Sequence, residues 1–291
     1  MSFSYNKREV LRDVDISVDE GEIVSLLGSN GVGKTTLMKC LCGILKPSHR
    51  KVMVNNTDLS NISLRDRSKL IAYVPQRFPR IHSTVMDYIL VGRRPYIDVN
   101  IRKEDMGVVW EVVHAMDLDR FAVKCLDTLS GGEFQKVQIA RALVQEAGTL
   151  LLDEHTSNLD ISNAYETMHI IRDIARERNV GVIMIAHDLN MAIHLSDRLV
   201  LMKNGTVFTE IANDGMTEDI IREVYNIDTK VVDGASKPYV VPRDLYSVRV
   251  DTHDPFISKR YGSRSKHLSH RFSHHYLTKD VGSRIVEQIH L

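Results

Sequence analysis

The chain has 291 residues, 43% of them hydrophobic, which excludes general disorder and allows one large domain or two small ones. Lys and Arg together number 38 and so do Asp and Glu, a balance that argues against a protein coating nucleic acid by bulk charge. No apolar run approaches the roughly 18 residues of a membrane span, and residues 1–5 carry no secretory pattern.

From residue 22 short apolar runs alternate with helical patterns. Ile23-Val24-Ser25-Leu26-Leu27 reads as a buried strand ending at a glycine. Cys40 and Cys42 follow on a helix; with Cys125 they form a sparse set without metal-ligand spacing and read as reduced, cytosolic packing residues. Between about residues 78 and 146 apolar positions fall at helical spacing, so this stretch is predicted to be a helical insertion. Within it Met106, Val109, Trp110, Val113 and Met116 are predicted to form the apolar face of a helix opened by Glu104-Asp105. Residues 149–152 and 181–186 repeat the strand pattern, with Ala164, Met168, Ile171 and Ala175 marking a helix between them. This alternation predicts an α/β fold with a largely parallel sheet. Residues 198–211 read as a hairpin turning at Asn204-Gly205.

Gly28-Ser29-Asn30-Gly31-Val32-Gly33-Lys34-Thr35-Thr36 fits G-x-x-x-x-G-K-[ST] and stands between the first strand and a helix. A polyphosphate needs many donors along a concave path; glycines let successive N–H groups turn inward, and a helix N-terminus adds positive potential. Lys34 supplies a mobile charge for the β- and γ-phosphates, and the Thr35 hydroxyl a ligand for Mg²⁺. Downstream, Leu150-Leu151-Leu152-Asp153-Glu154 is an apolar strand ending in two carboxylates. There Asp153 can hold Mg²⁺ through water and Glu154 can polarise an attacking water.

Leu129-Ser130-Gly131-Gly132-Glu133 lies between these motifs, and here the sequence resembles the ATP-binding cassette (ABC) family, whose LSGGQ-like signature precedes the acidic strand. Gln76, in Tyr73-Val74-Pro75-Gln76, matches the Q-loop glutamine. Ser157-Asn158-Leu159-Asp160 matches the D-loop, and His187 the switch histidine. Tyr5 falls in the region of the aromatic that stacks on adenine. The resemblance implies a P-loop NTPase of ABC ATPase type, with a helical subdomain and an N-terminal antiparallel β portion, over residues 1–243. It implies ATP and Mg²⁺ as cofactors, with Thr35, Gln76 and Asp153 near the metal. It also implies a head-to-tail homodimer, each ATP lying between one copy's Lys34 loop and the other's Ser130-Gly131-Gly132, with Asp160 also at the nucleotide. Glu154 then orients water, His187 contacts the γ-phosphate, and Gln76 links the nucleotide to the helical subdomain. The implied partners are permease subunits and, indirectly, a substrate-binding protein, at the cytoplasmic face of a membrane.

Val91-Gly92-Arg93-Arg94-Pro95-Tyr96, Ala192 after His187-Asp188-Leu189-Asn190, and Tyr239-Val240-Val241-Pro242 are similar to importers of iron–siderophore, haem and cobalamin complexes. Arg93-Arg94 also reads as a solvated basic turn. Two other functions compete: a soluble non-transport ABC ATPase, which usually carries two cassettes or a coiled-coil insertion, and a nucleotide-binding regulatory subunit with weak turnover. The latter is motivated by two departures from the family pattern, His155 after the glutamate and a short strand before Tyr5; His49-Arg50 in place of a glycine and Ala147-Gly148 in a turn that usually contains proline depart from it as well.

Past Pro242 the composition shifts. Residues 1–243 hold 30 basic and 33 acidic residues; residues 244–291 hold eight and five, with six of the thirteen histidines. The latter segment reads as a basic, weakly ordered tail. His267, His270 and His274 would share a helical face, with no cysteine or carboxylate to complete a metal set.

Overall fold

The uninterrupted apolar runs lie side by side at the centre of a six-stranded sheet. The computed structural model describes residues 1–48, 51–76, 81–154, 161–234 and 237–243, and groups Met1–Arg243 as one unit. In chain order its elements are β1 (Phe3–Tyr5), β2 (Arg8–Leu11), β3 (Ile23–Leu27), α1 (Lys34–Leu41), β4 (Met53–Val54), β5 (Thr57–Asp58), α2 (Leu64–Leu70) and β6 (Ile71–Val74). There follow α3 (Val85–Leu90), α4 (Lys103–Ala115), α5 (Gly131–Leu143), β7 (Thr149–Leu152), α6 (Ile161–Arg178) and β8 (Gly181–Ile185). The last are α7 (Leu189–Leu195), β9 (Arg198–Lys203), β10 (Thr206–Ala212), α8 (Glu218–Tyr225), β11 (Thr229–Val232) and β12 (Tyr239–Pro242). His49-Arg50, His155, residues 157–160 with Asp160, and the tail 244–291 lie outside the described residues.

The sheet order is β10-β9-β3-β8-β7-β6, and every pairing is parallel except the β9–β10 hairpin. Antiparallel pairs β1–β2, β4–β5 and β11–β12 flank it, so the α/β class and the N-terminal antiparallel portion are as expected. The hairpin turns at Asn204 (φ 50°) and Gly205 (φ 78°), the two left-handed residues its short loop requires.

Side-chain alternation divides the core between the two faces of the sheet. Leu150, Leu152, Val182 and Met184 pack with Val137 of α5 and Met168 of α6; Leu151, Ile183 and Ile185 pack with Leu37 and Met38 of α1. Strands covered on both faces must be apolar throughout, which is why these runs lack a polar alternate. Ala164, Met168, Ile171 and Ala175 are buried along α6 as their spacing predicts.

Between the neighbouring strands β6 and β7 the chain leaves the sheet to build α3, α4 and α5. Two expectations are corrected here. Trp110 is exposed and stacks on His114, with ring centroids 5.7 Å apart, and Met106 is half-buried. The buried face of α4 runs instead through Asp105, Val109, Val112 and Val113 to Met116. The reason is Arg93, which is not part of a solvated turn. Its side chain is 7% exposed, its Nε donates to Asp105 Oδ1 at 3.1 Å, and its Nη1 donates to the Val144 carbonyl at 2.9 Å and to Glu146. The Tyr96 ring lies 4.2 Å from the guanidinium carbon. Gly92 lets this segment touch α5, because a Cβ there would lie 2.1 Å from the Arg141 carbonyl oxygen. A buried guanidinium needs such a set of acceptors, and their demand turns α4 so that Asp105 faces inward.

Arg93→Ala is expected to lower unfolding free energy by about 3–5 kcal/mol, since it strands a buried carboxylate. Arg94→Ala, at the exposed neighbour, should stay within about 0.5 kcal/mol of wild type. Urea unfolding of the two variants checks both.

Candidate functional site

The sequence-predicted residues converge because four adjacent strands run the same way. Gly28 follows β3, His187 stands two residues beyond β8, Asp153 and Glu154 follow β7, and Gln76 stands two residues beyond β6. All lie at the carboxyl ends of the parallel strands, where open α/β sheets bind ligands.

After β3 the backbone turns through three left-handed glycines, Gly28 (φ 141°), Gly31 (φ 79°) and Gly33 (φ 111°). A Cβ on Gly28 would lie 2.5 Å from the Met202 carbonyl oxygen, whereas one on Gly31 would meet nothing within 4 Å. Gly33 stands at the N-cap of α1 and offers no side-chain acceptor. Helices α2, α3, α5, α7 and α8 begin with Ser63, Thr84, Ser130, Asp188 and Thr217, each accepting an N–H. The first amides of α1 are therefore left for an anion, and the helix dipole adds to their potential. The buried Lys34 ammonium donates to the Gly28 carbonyl at 2.7 Å and the Ser29 carbonyl at 3.1 Å. Burial holds its pKa below the usual lysine range, while Glu154 and Asp153 pull it back upward.

Opposite the loop, Asp153 is 1% exposed and accepts from Thr35 Oγ1 and the Tyr73 hydroxyl, both at 3.0 Å. Burial raises its pKa against the pull of these two donors. Glu154 adopts φ 53°, a conformation costing a residue with a Cβ about 1–2 kcal/mol. Its Oε1 lies 2.7 Å from His187 Nε2, and Gln76 donates its amide N–H to Oε2. Strain at such a position is typical of functional sites.

Two adjoining cavities follow the loop and share Val10, Asn30 and Gly31. One, about 150 Å³, reaches Lys34, Thr35, Thr36 and Glu154; the other, about 340 Å³, reaches Arg8, Glu9, Ser29, Val32 and the Asn204-Gly205 turn. Tyr5 lines neither. It is half-exposed at the β1–β2 turn, paired with Arg8 and set edge-on against Phe3 at 4.8 Å.

Ser130, Gly131 and Gly132 open α5 and line neither of these cavities. A cavity of about 460 Å³ there is also lined by Arg120, Lys136 and Asn163. Ser130 Oγ accepts the Glu133 N–H at 3.2 Å, and Glu133 accepts the Ser130 N–H at 2.7 Å. These bonds from Ser130 hold the Glu133 carboxyl below its usual pKa. The reciprocal cap leaves the Gly131 and Gly132 amides at the helix mouth.

A family model described as ABC transporter matches residues 11–157, about half of the chain. Over 242 residues the chain is 40% identical to MJ0089, an uncharacterized ABC transporter ATP-binding protein of Methanocaldococcus jannaschii, covering 83% of this chain and 95% of that one. The chain belongs to the ABC transporter ATP-binding family. As an ABC ATPase it binds and hydrolyses ATP. The cassette is also 32% identical over 252 residues to the iron(3+)-hydroxamate import ATP-binding protein FhuC of Bacillus subtilis, covering 84% and 93% of the two chains. One solved structure, an inward-facing transporter assigned to the metal-chelate type, aligns with TM-score 0.71 and 25% identity over 83% of this chain and 94% of that one. Another is the dimeric cassette MJ0796 with ADP and Pi, at TM-score 0.66 and 27% identity, covering 74% and 96%.

Sequence reasoning missed two tyrosines of the ABC cassette site. Tyr73 stands within the Q-loop segment, but only the parallel pairing of β6 with β7 brings its hydroxyl to Asp153. Tyr225, at the end of α8, accepts the Gly28 N–H at 2.9 Å, and burial pushes its pKa up to about 12. Nothing local marks it, since 197 residues separate the partners.

Gly28→Ala should weaken binding of a fluorescent ATP analogue at least tenfold, because the Met202 carbonyl must move before the loop can form. Gly31→Ala meets no atom and should cost only the left-handed backbone, about 1–2 kcal/mol in a thermal unfolding measurement.

Proposed function

We propose that this cassette is the energy-coupling ATPase of an ABC importer whose cargo is a metal chelate of the iron–siderophore, haem or cobalamin class. The observation carrying the catalytic part is the convergence of Lys34, Thr35, Asp153, Glu154, His187 and Gln76 at four neighbouring strand ends. The cargo class is supported by the import role named for the B. subtilis relative and by the metal-chelate transporter among the structural neighbours. It is supported as well by the similarity of Val91-Gly92-Arg93-Arg94-Pro95-Tyr96 to importers of that class.

ATP enters with its phosphates along the Gly28–Thr36 loop, meeting the uncapped amides of α1. Lys34 leaves the Gly28 and Ser29 carbonyls for the phosphate oxygens, exchanging neutral acceptors for charged ones. Glu154, held by Gln76 and His187, accepts a proton from the attacking water and orients it toward the γ-phosphorus. His187, 44% exposed in its side chain, would exchange its contact with Glu154 for the γ-phosphate, leaving Gln76 to hold the carboxylate. Thr35, Asp153 and the Gln76 side-chain carbonyl would hold Mg²⁺, which prefers all-oxygen donors, and Asp153 and Thr35 stand 3.0 Å apart. When bound, Mg²⁺ offsets charge on the β- and γ-oxygens.

Ser130-Gly131-Gly132 and the Lys34 loop line separate cavities of one copy, and in this reading a second copy supplies those amides to the γ-phosphate. The proposed assembly is a head-to-tail homodimer, a reading supported by the dimeric MJ0796 cassette. Asp160 joins this interface and Tyr5 stacks on adenine in the same reading. Among the described residues no helix is long and apolar enough to cross a membrane, which fits a subunit lying peripherally on the cytoplasmic face against permease partners.

Turnover of purified protein tests the ATPase assignment. Glu154→Gln should retain ATP binding and lose at least about 100-fold in turnover, the usual scale for removing a positioned base. Lys34→Ala should bind no ATP at the same concentrations. ATP-dependent uptake of a ferric siderophore into proteoliposomes holding the cassette and its permease tests the cargo; uptake of other solutes only would contradict it.

A further inference from the structure

Cys125 sits beside groups that its sequence neighbours do not reveal. Thr84 and Cys125 form an antiparallel bridge between the segment entering α3 and the turn preceding α5. Val85 N–H donates to the Lys124 carbonyl and Leu126 N–H to the Ser83 carbonyl, each at 3.0 Å, which fixes the two segments together. Two residues out along the same register His82 faces Asp127, so residues 82, 125 and 127 project from one face of this short ladder. His82 Nδ1 lies 3.4 Å from Asp127 Oδ2, and one donor atom from each of His82, Cys125 and Asp127 falls within 4.8 Å of the other two.

We propose that His82, Cys125 and Asp127 form a site for a divalent transition metal of the Zn²⁺ class. A thiolate, an imidazole and a carboxylate together form a borderline-soft donor set, which Zn²⁺ and Co²⁺ accept and which Mg²⁺ and Ca²⁺ do not favour. Tetrahedral coordination with metal–N and metal–O bonds of about 2.0–2.2 Å separates those donors by roughly 3.3–3.5 Å. The observed 3.4 Å between His82 and Asp127 matches that edge, and it exceeds the about 2.7–2.9 Å of a charge-assisted hydrogen bond. The Cys125 sulfur, whose tetrahedral edge to N or O would be about 3.6 Å, needs a shift of no more than about 1.2 Å to complete a third vertex. His82 and Asp127 are exposed and Cys125 is half-buried, so water takes the fourth position. The site lies between Gln76 and Ser130 in the chain, joining the segment that follows one to the segment that precedes the other. It does not depend on the proposed cargo.

The full-length chain, stripped of metal and kept reduced, is titrated with Co²⁺. The expected result is a near-ultraviolet thiolate-to-cobalt charge-transfer band that saturates at one equivalent and disappears when Zn²⁺ is added. Cys125→Ser should abolish the band, His82→Ala and Asp127→Asn should each weaken Co²⁺ binding by roughly tenfold or more, and Cys42→Ser should leave it intact. Residues 244–291 contain histidines but no cysteine, so metal held there gives no such band. Absence of the band in the wild-type chain overturns the site, as does a band that survives Cys125→Ser in a protein with unchanged circular dichroism.

Discussion

Parallel pairing of β3, β8, β7 and β6 is the constraint on which the site depends. In register, these strands finish level with one another, and each hands its next residues to the same edge of the sheet. Gly28, His187, Asp153, Glu154 and Gln76 come from positions up to 159 residues apart, yet need only short loops to meet. A one-residue slip between β7 and β8 would send Leu151 and Ile183 to opposite faces and displace the carboxylates along the strand. Packing on both faces of the sheet therefore specifies the register, and the register specifies the chemistry.

Charge is arranged around the same edge. Lys34 loses hydration through burial and recovers part of the loss from Asp153 and Glu154, while two hydroxyls steady Asp153. The lysine donates to two backbone carbonyls of its own loop. A polyphosphate brings far stronger acceptors, and the uncapped end of α1 faces them with amides that no side chain satisfies. Discrimination in favour of a highly charged ligand thus follows from what the loop leaves unpaired. Fine placement follows from Tyr225 on Gly28, Tyr73 on Asp153, and Gln76 and His187 on Glu154.

Much of this was legible in the sequence where the signal is local. The apolar runs became the central strands, Asn204-Gly205 became the hairpin turn, and the glycine-lysine loop stands where its motif requires. What could not be read depends on partners distant in the chain. Trp110 matched a helical apolar face as well as Val112 did, and only the buried Arg93–Asp105 pair decides which side of α4 turns inward. The same pair makes Arg93 a core residue although its neighbour Arg94 is exposed. Tyr225 and His82 belong to the same class: each stands far in sequence from its partners, Gly28 and the Cys125–Asp127 pair, and only tertiary packing brings them together.

In the proposed dimer one copy's Lys34 loop works with the Ser130-Gly131-Gly132 helix end of another. Mixing two inactive variants separates this arrangement from a site complete within one copy. Lys34→Ala lacks both phosphate loops in its own dimer, and Ser130→Arg lacks both signature ends. A mixed dimer regains one complete site, so ATP turnover of the mixture should rise well above that of either variant alone. Turnover in the mixture no higher than in its components, with mixed dimers present, would contradict the account.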